Sequence, residues 1–167
     1  FRIFNIPPSH TAEIDGLTIT GGSLVGNGGG ISSGATLTIS NCAISGNSIL
    51  TTDGLQHSGA GIYNVGTMTI VNSTVNNNQA LMGFLPSFGG GGISNPGSLT
   101  LRNVTVSANS AFGVAGGGLH NAGTALLENV LVDGNTASYG GGIYNPGSSL
   151  TLRNVTVSAN SASGFGG

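Results

Sequence analysis

The sequence contains a repeat whose equivalent positions stay aligned even where residues are inserted between them. A thirteen-residue segment, LTLRNVTVSANSA, occurs at residues 99–111 and again, unchanged, at residues 150–162. Looser copies of its apolar triplet recur at spacings of 25, 31, 31, 26 and 25 residues, measured between Ile14, Ile39, Ile70, Leu101, Leu127 and Leu152. Such a repeat predicts a stack of similar coils with one variable loop, because inserted residues leave through the loop and do not shift the layers.

Each repeat contains three short apolar segments that end near an asparagine, in the patterns GGI-x-N, LTL-x-N and V-x-x-N. Short segments with alternating polarity and no 3.6-residue periodicity indicate strands and not helices. Equivalent residues 25 to 31 positions apart can stack only if neighbouring strands are parallel. The sequence therefore predicts an all-β fold, a parallel β-helix (β-solenoid) of about six coils with three short strands in each.

Alternation along these strands predicts which side chains point inward. Two aliphatic columns should fill the interior, and they are Ile31, Ile62, Ile93, Leu119 and Ile143, and Ile44, Val75, Val106, Val132 and Val157.

Three columns of asparagines should form ladders at the corners, because Asn tolerates the left-handed turn conformation and its amide can bond the amides of adjacent coils. The columns are Asn64, Asn95, Asn121 and Asn145; Asn41, Asn72, Asn103, Asn129 and Asn154; and Asn47, Asn78, Asn109, Asn135 and Asn160. Three of these residues also begin N-x-S/T sequons, which makes them candidate glycosylation sites: Asn72, Asn103 and Asn154.

Charged residues make up only 5% of the chain, and the net charge is −2. This balance offers no basic surface for nucleic acid or anionic lipid, and no apolar stretch is long enough to cross a membrane. Cys42 is the single cysteine, so we predict a small buried side chain and no internal disulfide, metal cluster or cofactor. We expect residues 1–167 to form one domain that is part of a longer repeat array.

The segments GGGIYNPGSSLTLRNVTVSANSA and GAGIYNVGTMTIVNSTVNNNQA, with the opening FRIFNI and IDGLTITGG, carry a family resemblance. They resemble the repeats of secreted right-handed parallel β-helix proteins of the polymorphic outer-membrane-protein-like and choice-of-anchor class. The resemblance covers nearly the whole chain and implies a right-handed helix in an extracellular or cell-surface module that is structural or adhesive. Its partners would be neighbouring coils, other copies stacked end to end into a filament, or a cell-surface protein or glycan.

Parallel β-helices also include polysaccharide lyases and hydrolases, whose sites need clustered carboxylates or Ca²⁺ with a basic residue. The best acidic pair is Glu13 and Asp15, which lie two positions apart on the outward side of one strand, about 7 Å from each other by strand rise. No carboxylate, His or Arg occupies the aligned positions one coil away, Thr38 and Ser40. We predict a non-catalytic chain, with a polysaccharide-active β-helix whose site lies partly outside these residues as the alternative.

A third interpretation is an ice-binding or surface-binding solenoid. It is suggested by an outward threonine column, Thr38, Thr69, Thr100 and Thr151, which Leu126 interrupts. We expect no flat array two threonines wide, because the next outward column contains Ser40, Val71, Arg102, Glu128 and Arg153. That column predicts a charge ladder of Arg102, Glu128 and Arg153 over three consecutive coils.

Two insertions follow equivalent asparagines, at residues 48–58 and 79–88. They hold more apolar side chains than a solvent-exposed loop should carry. One interpretation is that the two loops cover each other and one face of the coils. The other is an interface with a second subunit or a partner protein, anchored by aromatic side chains, which bury a large area for little loss of entropy. The candidate interface residues are Leu81, Met82, Phe84, Leu85 and Phe88.

Overall fold

The computed structural model describes residues 1–52, 55, 57–81, 89–147 and 149–164. Within these residues the chain forms six successive coils of short strands, numbered β1 to β22, and no helix. Coil 1 contains β1 (Phe4–Ile6), β2 (Thr11–Asp15), β3 (Thr18–Thr20) and β4 (Ser23–Leu24), and coil 2 contains β5 (Ile31–Ser33), β6 (Thr36–Ser40), β7 (Ala43–Ser45) and β8 (Ser48–Leu50). Coil 3 contains β9 (Ile62–Asn64), β10 (Thr67–Val71), β11 (Thr74–Asn76) and β12 (Gln79–Leu81), and coil 4 contains β13 (Ile93–Asn95), β14 (Ser98–Arg102), β15 (Thr105–Ser107) and β16 (Ser110–Ala115). Coil 5 contains β17 (Leu119–Asn121), β18 (Thr124–Asp133) and β19 (Thr136–Tyr139), and coil 6 contains β20 (Ile143–Tyr144), β21 (Ser149–Ser158) and β22 (Ser161–Ala162).

Strands at equivalent places in successive coils pair in parallel and build three sheets. The first sheet is β1-β5-β9-β13-β17-β20, and the third is β4-β8-β12-β16-β19-β22. The second sheet takes two strand segments from each coil, which are continuous in β18 and β21. Its register pairs Ile39 with Ile14 and Ile70, and Leu101 with Ile70 and Leu127. The predicted parallel β-helix and its repeat register are therefore confirmed.

The third sheet adds a strand to the coil that the sequence patterns do not indicate. Strands β8 and β12 take up the first three residues of the predicted loops 48–58 and 79–88. The inward column of this sheet is mostly alanine, with Ile49 paired to Ala80, Ala80 to Ala111 and Ala111 to Ala137. These side chains are buried in a small cluster of their own. Because alanine is depleted in strands, this column gives a weak strand signal in the sequence.

The predicted aliphatic columns fill the interior. Ile62, Ile93, Val75 and Val106 are fully buried, and each such side chain contributes about 1.5–3 kcal/mol to folding. Cys42 is buried in the same cluster, as predicted, and its thiol donates to the carbonyl oxygen of Ser40 at 3.0 Å.

The third asparagine column forms what we call the inner ladder, Asn47, Asn78, Asn109, Asn135 and Asn160. The backbone N–H and Nδ2 of Asn109 both donate to Oδ1 of Asn135, at 3.0 and 2.9 Å. Nδ2 of Asn109 also donates to the carbonyl oxygen of Val75 at 2.9 Å. Oδ1 of Asn109 accepts from the backbone N–H and Nδ2 of Asn78, both at 3.0 Å. One buried side chain therefore ties three successive coils together.

The other two asparagine columns are also ladders, as predicted. The sheet ladder, at the end of the first sheet, is Asn64, Asn95, Asn121 and Asn145, and each Nδ2 donates to Oδ1 of the next residue at 2.7 Å. The outer ladder is exposed, and its linked members are Asn72, Asn103, Asn129 and Asn154. These four have φ between 47° and 54°. The left-handed turn conformation thus explains the preference for asparagine only in the outer ladder. In the inner and sheet ladders, the preference for asparagine is explained by the hydrogen bonds of its amide.

A glycine in each of coils 2 to 6 makes room for the inner ladder. A Cβ on Gly92 would lie 2.7 Å from the carbonyl oxygen of Gly118 and 2.9 Å from Nδ2 of Asn109. A Cβ on Gly61 would lie 2.7 Å from the carbonyl oxygen of Gly92 and 3.0 Å from Nδ2 of Asn78. The glycine run before each strand of the first sheet therefore allows the close approach of neighbouring coils at this corner.

We predict that Asn109→Ala lowers the free energy of unfolding by about 3 kcal/mol, because it leaves the buried donors of Asn78 and the carbonyl oxygen of Val75 without partners. Urea unfolding followed by circular dichroism measures the change. The matched control is Asn103→Gly in the exposed outer ladder, where glycine accepts the positive φ and the loss should be about 1 kcal/mol or less. Equal losses of unfolding free energy in the two variants would contradict a larger contribution of the inner ladder to stability.

Candidate functional sites

The predicted charge ladder is present on the outer face of the second sheet. Nε of Arg102 lies 2.8 Å from Oε2 of Glu128, and Nη1 of Arg153 lies 2.8 Å from Oε1 of Glu128. Strand pairing places the three residues in one column. Hydrogen bonds from Arg153 and Arg102 lower the pKa of Glu128 below its ordinary value. Both oxygens of the Glu128 carboxylate are therefore engaged in ion pairs, which link the outer surfaces of coils 4, 5 and 6.

Glu13 and Asp15 both lie on the exposed side of β2, as predicted. Oδ1 of Asp15 accepts hydrogen bonds from Oγ of Ser40 at 2.6 Å and from Nδ2 of Asn41 at 2.8 Å. These bonds lower the pKa of Asp15 below its ordinary value. A lowered pKa suits the ionised member of an acid–base pair and not the acid, whose pKa must be raised. Asp15 joins coil 1 to coil 2 at the position where the outer ladder begins.

The outer face of the second sheet also carries a second hydroxyl column beside the predicted threonines. We call the part that spans coils 2 to 4 the hydroxyl patch, Thr36, Thr38, Thr67, Thr69, Ser98 and Thr100, in which strand pairing aligns two hydroxyl groups per coil. Leu126 interrupts the column of Thr100 in coil 5, and that column resumes at Thr151. The column of Ser98 continues without interruption through Thr124 and Ser149. The array is two hydroxyl groups wide in these coils, and Ser98 keeps it from being an array of threonine alone. The missed column lies on the N-terminal side of each apolar triplet and contains serine as well as threonine.

A buried histidine lies on the outer face of the first sheet. Strand pairing aligns Tyr63, Ser94, His120 and Tyr144 in successive coils. The His120 ring stacks on Tyr144 with 5.6 Å between centroids, and its Nδ1 has no hydrogen-bond partner. Burial lowers the pKa of His120, so the ring is neutral at neutral pH. The sequence gives no signal for this burial, because the position alternates outward.

The insertions leave and re-enter the stack side by side. β8 and β12 pair up to Leu50 and Leu81, and the chain segments return at Ser58 and Gly89, which form a parallel bridge. Leu81, one of the candidate interface residues, ends β12 with an exposed side chain. The other candidate interface residues lie outside the described residues and are Met82, Phe84, Leu85 and Phe88. Whether the loops form an interface or cover each other stays a prediction.

The candidate glycosylation sites Asn72, Asn103 and Asn154 all belong to the outer ladder. Nδ2 of Asn103 donates to Oδ1 of Asn72 at 3.0 Å, and Nδ2 of Asn154 donates to Oδ1 of Asn129 at 2.7 Å. A glycan attached at Asn103 or Asn154 would use the nitrogen that makes the ladder bond. Glycosylation stays a prediction.

The first and last coils of the stack differ in the exposure of their inward-facing side chains. In coil 1, Ile14 and Ile19 are 6% and 1% exposed. At the equivalent positions of coil 6, Leu152 and Val157 are 45% and 52% exposed. These core positions are therefore covered in coil 1, the first coil of the stack, and exposed in coil 6, the last.

Coil 1 differs from the later coils at two positions of the inner-ladder corner. The backbone N–H of Ile3 donates to the carbonyl oxygen of Gly29, just as the N–H of Gly30, one coil later, donates to the carbonyl oxygen of Ala60. Ile3 therefore occupies the position at which the later coils have the glycine that faces the inner ladder. Ile3 packs against the core cluster. Gly22 takes the place of the inner-ladder asparagine, and its N–H donates to Oδ1 of Asn47 at 2.9 Å. The asparagine amide that a side chain at this position would meet in coils 2 to 6 is therefore absent from coil 1.

Six parallel coils with stacked asparagines define a parallel β-helix protein. Residues 4–166 match the sequence model of the right handed beta helix region, and the chain belongs to this family. The match supports the right-handed sense that the resemblance implies. No curated protein and no solved structure matched the chain. Among the described residues, no helix is long and apolar enough to cross a membrane.

We predict that the double variant Arg102→Gln and Arg153→Gln raises the pKa of Glu128 toward its ordinary value, as read from its carboxyl ¹³C shift between pH 2 and 7. In the unchanged protein the folded pKa is lowered, so the stabilisation is complete above the unfolded pKa and is lost as the pH falls through the folded pKa. The single variant Arg102→Gln keeps the Arg153 bond and should move the pKa less. An unchanged titration in the double variant would show that the ion pairs do not form in solution.

Proposed function

We propose that this chain is a non-catalytic structural repeat module, a rigid β-helical segment that lengthens a surface protein by stacking further coils. The observation that carries the proposal is the inner ladder, in which the buried side chain of Asn109 bonds to the coils on both sides of it. A stack whose coils are joined by such contacts between neighbours is suited to extension by further coils.

The side chains with catalytic potential favour this role over an enzymatic one. Asp15 and Glu128 accept hydrogen bonds from neighbouring coils and have lowered pKa values. The inner and sheet ladders add buried hydrogen bonds at two corners of each coil. Solenoids stabilised by nearest-neighbour contacts gain length without a new core, because each repeat contacts only the next.

The module can be lengthened to test this role. One, two or four copies of residues 143–167, a 25-residue unit, are added after Gly167. The maximum dimension from small-angle X-ray scattering should grow by about 4.8 Å per copy, the spacing between parallel strands. A Gly/Ser segment of equal length is the control and should scatter as a flexible tail. Added copies that scatter like the Gly/Ser control would contradict the proposal.

The proposed location is outside the cell or on its surface. It is supported by the resemblance of the GGGIYN and LTLRNVTV segments to repeats of secreted β-helix proteins. Protease added to intact cells that express the natural protein should digest it, whereas an internal marker protein should stay whole. Full protection in intact cells, with digestion after lysis, would contradict this location.

A second candidate function is the binding of ice or another crystalline surface, which the hydroxyl patch favours. Its hydroxyls lie on a rigid parallel sheet, about 4.8 Å apart between coils and about 6.8 Å apart along a strand. Thr36, Thr38 and Thr67 are exposed. A regular two-dimensional grid of hydroxyl groups suits a ligand that is itself a lattice.

If the hydroxyl patch binds ice, the protein should lower the freezing point below the melting point, as measured by nanolitre osmometry. Thr69→Lys, at the centre of the patch, should abolish the effect, because a long charged side chain keeps the flat surface from the lattice. Thr74→Lys, on β11 of the same coil, is the control and should retain it. No gap between freezing and melting in the unchanged protein would exclude this candidate.

A further inference from the structure

An exposed apolar column runs along the outer face of the third sheet in coils 1 to 4. We call it the apolar stripe, and it consists of Val25, Leu50, Leu81 and Phe112. Leu50 and Leu81 are paired directly. The residues just before Val25 and Phe112 pair with the residues just before Leu50 and Leu81, so the strand register places all four side chains in one column.

The side chains of the apolar stripe point away from the core. Their exposed fractions are 45%, 38%, 37% and 67% in chain order. Ile49, Ala80 and Ala111, each one position earlier in the chain, are fully buried on the inner face, as alternation along a strand requires. Single exposed apolar side chains are normal on a soluble protein, but a contiguous group of them marks an interaction surface.

The apolar stripe has a defined length, and its sheet is uncharged. In coils 5 and 6 the corresponding residues, one position after the inward alanines, are Ser138 and Ser163. The stripe therefore spans three inter-coil spacings, about 14 Å. None of the described strand residues of the third sheet is charged. Such a surface has no charge to attract a charged partner and none to repel an identical copy.

Side-chain size along the stripe is complementary to itself when one copy is turned around. The smallest side chain, Val25, lies at one end, the largest, Phe112, lies at the other, and two leucines lie between them. In an antiparallel pair of stripes, Phe112 of one copy meets Val25 of the other, and Leu50 meets Leu81. Each row then joins side chains of similar total volume, so the two sheets can pack at a constant distance. A parallel pair would place phenylalanine on phenylalanine at one end and valine on valine at the other, which splays the sheets apart.

We propose that the apolar stripe is a dimer interface and that its occupant is the same stripe of a second copy, packed antiparallel about a two-fold axis between Leu50 and Leu81. A two-fold contact between identical patches is the commonest way in which protein chains self-associate. Four side chains from each copy bury less area than a permanent dimer needs, so the dimer is weak and depends on protein concentration. The inference goes beyond the proposed function, because it concerns contact between the sides of two modules and not the addition of coils.

Two charge variants test both the interface and its orientation. Leu50→Glu and Leu81→Lys each place a charge in the stripe, where the two-fold dimer would bury it against a leucine of the second copy. When the two variants are mixed, the introduced carboxylate of one copy faces the introduced ammonium group of the other, and the remaining central row is leucine on leucine. The matched control is Leu131→Glu, because Leu131 is 38% exposed and lies on the second sheet.

Sedimentation velocity of the full chain measures dimerisation at protein concentrations up to about 1 mM, and circular dichroism checks the fold. We expect the unchanged chain and Leu131→Glu to dimerise alike. Each single stripe variant should raise the dissociation constant by about tenfold or more, because an unpaired charge is costly to bury. The equimolar mixture of the two stripe variants should recover most of the dimer.

Four results would overturn the proposal. A chain that stays monomeric over the whole range leaves the stripe to a partner of different sequence. Stripe variants that dimerise as well as the unchanged chain place the interface elsewhere. Stripe variants that both weaken the dimer but do not recover it when mixed exclude the antiparallel arrangement. A Tm lowered by about 5 °C or more in a stripe variant, at a concentration where only monomer is present, means that the chain covers the stripe with its own residues.

Discussion

The structure depends on one interaction, the inner-ladder amide that bonds to the coils on either side of it. Asn109 reaches back to Val75 and forward to Asn135, and its oxygen receives two bonds from Asn78. Because the side chain is buried, none of these groups can exchange a partner for water without opening the stack. Each coil is thus placed relative to its neighbours by hydrogen bonds as well as by apolar packing.

Other features of the chain follow from this ladder. A glycine must face each ladder amide, since a Cβ on Gly92 would come within 2.9 Å of Nδ2 of Asn109. The close approach of coils at this corner keeps the parallel strands in strict register, so outward residues also line up. The charge ladder around Glu128 and the hydroxyl patch are consequences of that alignment. In coil 1, Ile3 stands at the position of the glycine and Gly22 at the position of the asparagine.

Much of the fold could be predicted because a fixed period determines which residues stack. The columns that contain Ile39, Val75 and Asn109 were assigned from spacing alone, and the charge ladder followed from the same register. The third sheet was missed because its inward column is mostly alanine, as at Ala80 and Ala111, and alanine gives little strand signal. The second hydroxyl column was not predicted because the repeats were aligned on the apolar triplets and the residues inside and after each triplet. Thr36 and Ser98 come before the triplets.

The features of the candidate sites that depend on three-dimensional contacts could not be predicted in this way. Nothing in the pattern around Ile3 or Gly22 predicts the departure of coil 1 from the inner ladder, because a single departure from a repeat resembles ordinary variation until its contacts are known. The burial of His120 is a similar case, since its position alternates outward. The proposal about Phe84 and Phe88 concerns an insertion, and a repeat register has no equivalent positions from which to place inserted residues.

Native-state hydrogen exchange tests the central claim, that the inner ladder couples the coils, most directly. The backbone amides of Asn47, Asn78, Asn109 and Asn135 each donate to the oxygen of the next asparagine. If the ladder couples the coils, these four amides should exchange with one common free energy, equal to that of global unfolding, and respond alike to added denaturant. Exchange of the four amides through separate openings of lower free energy, each with its own dependence on denaturant, would contradict the account.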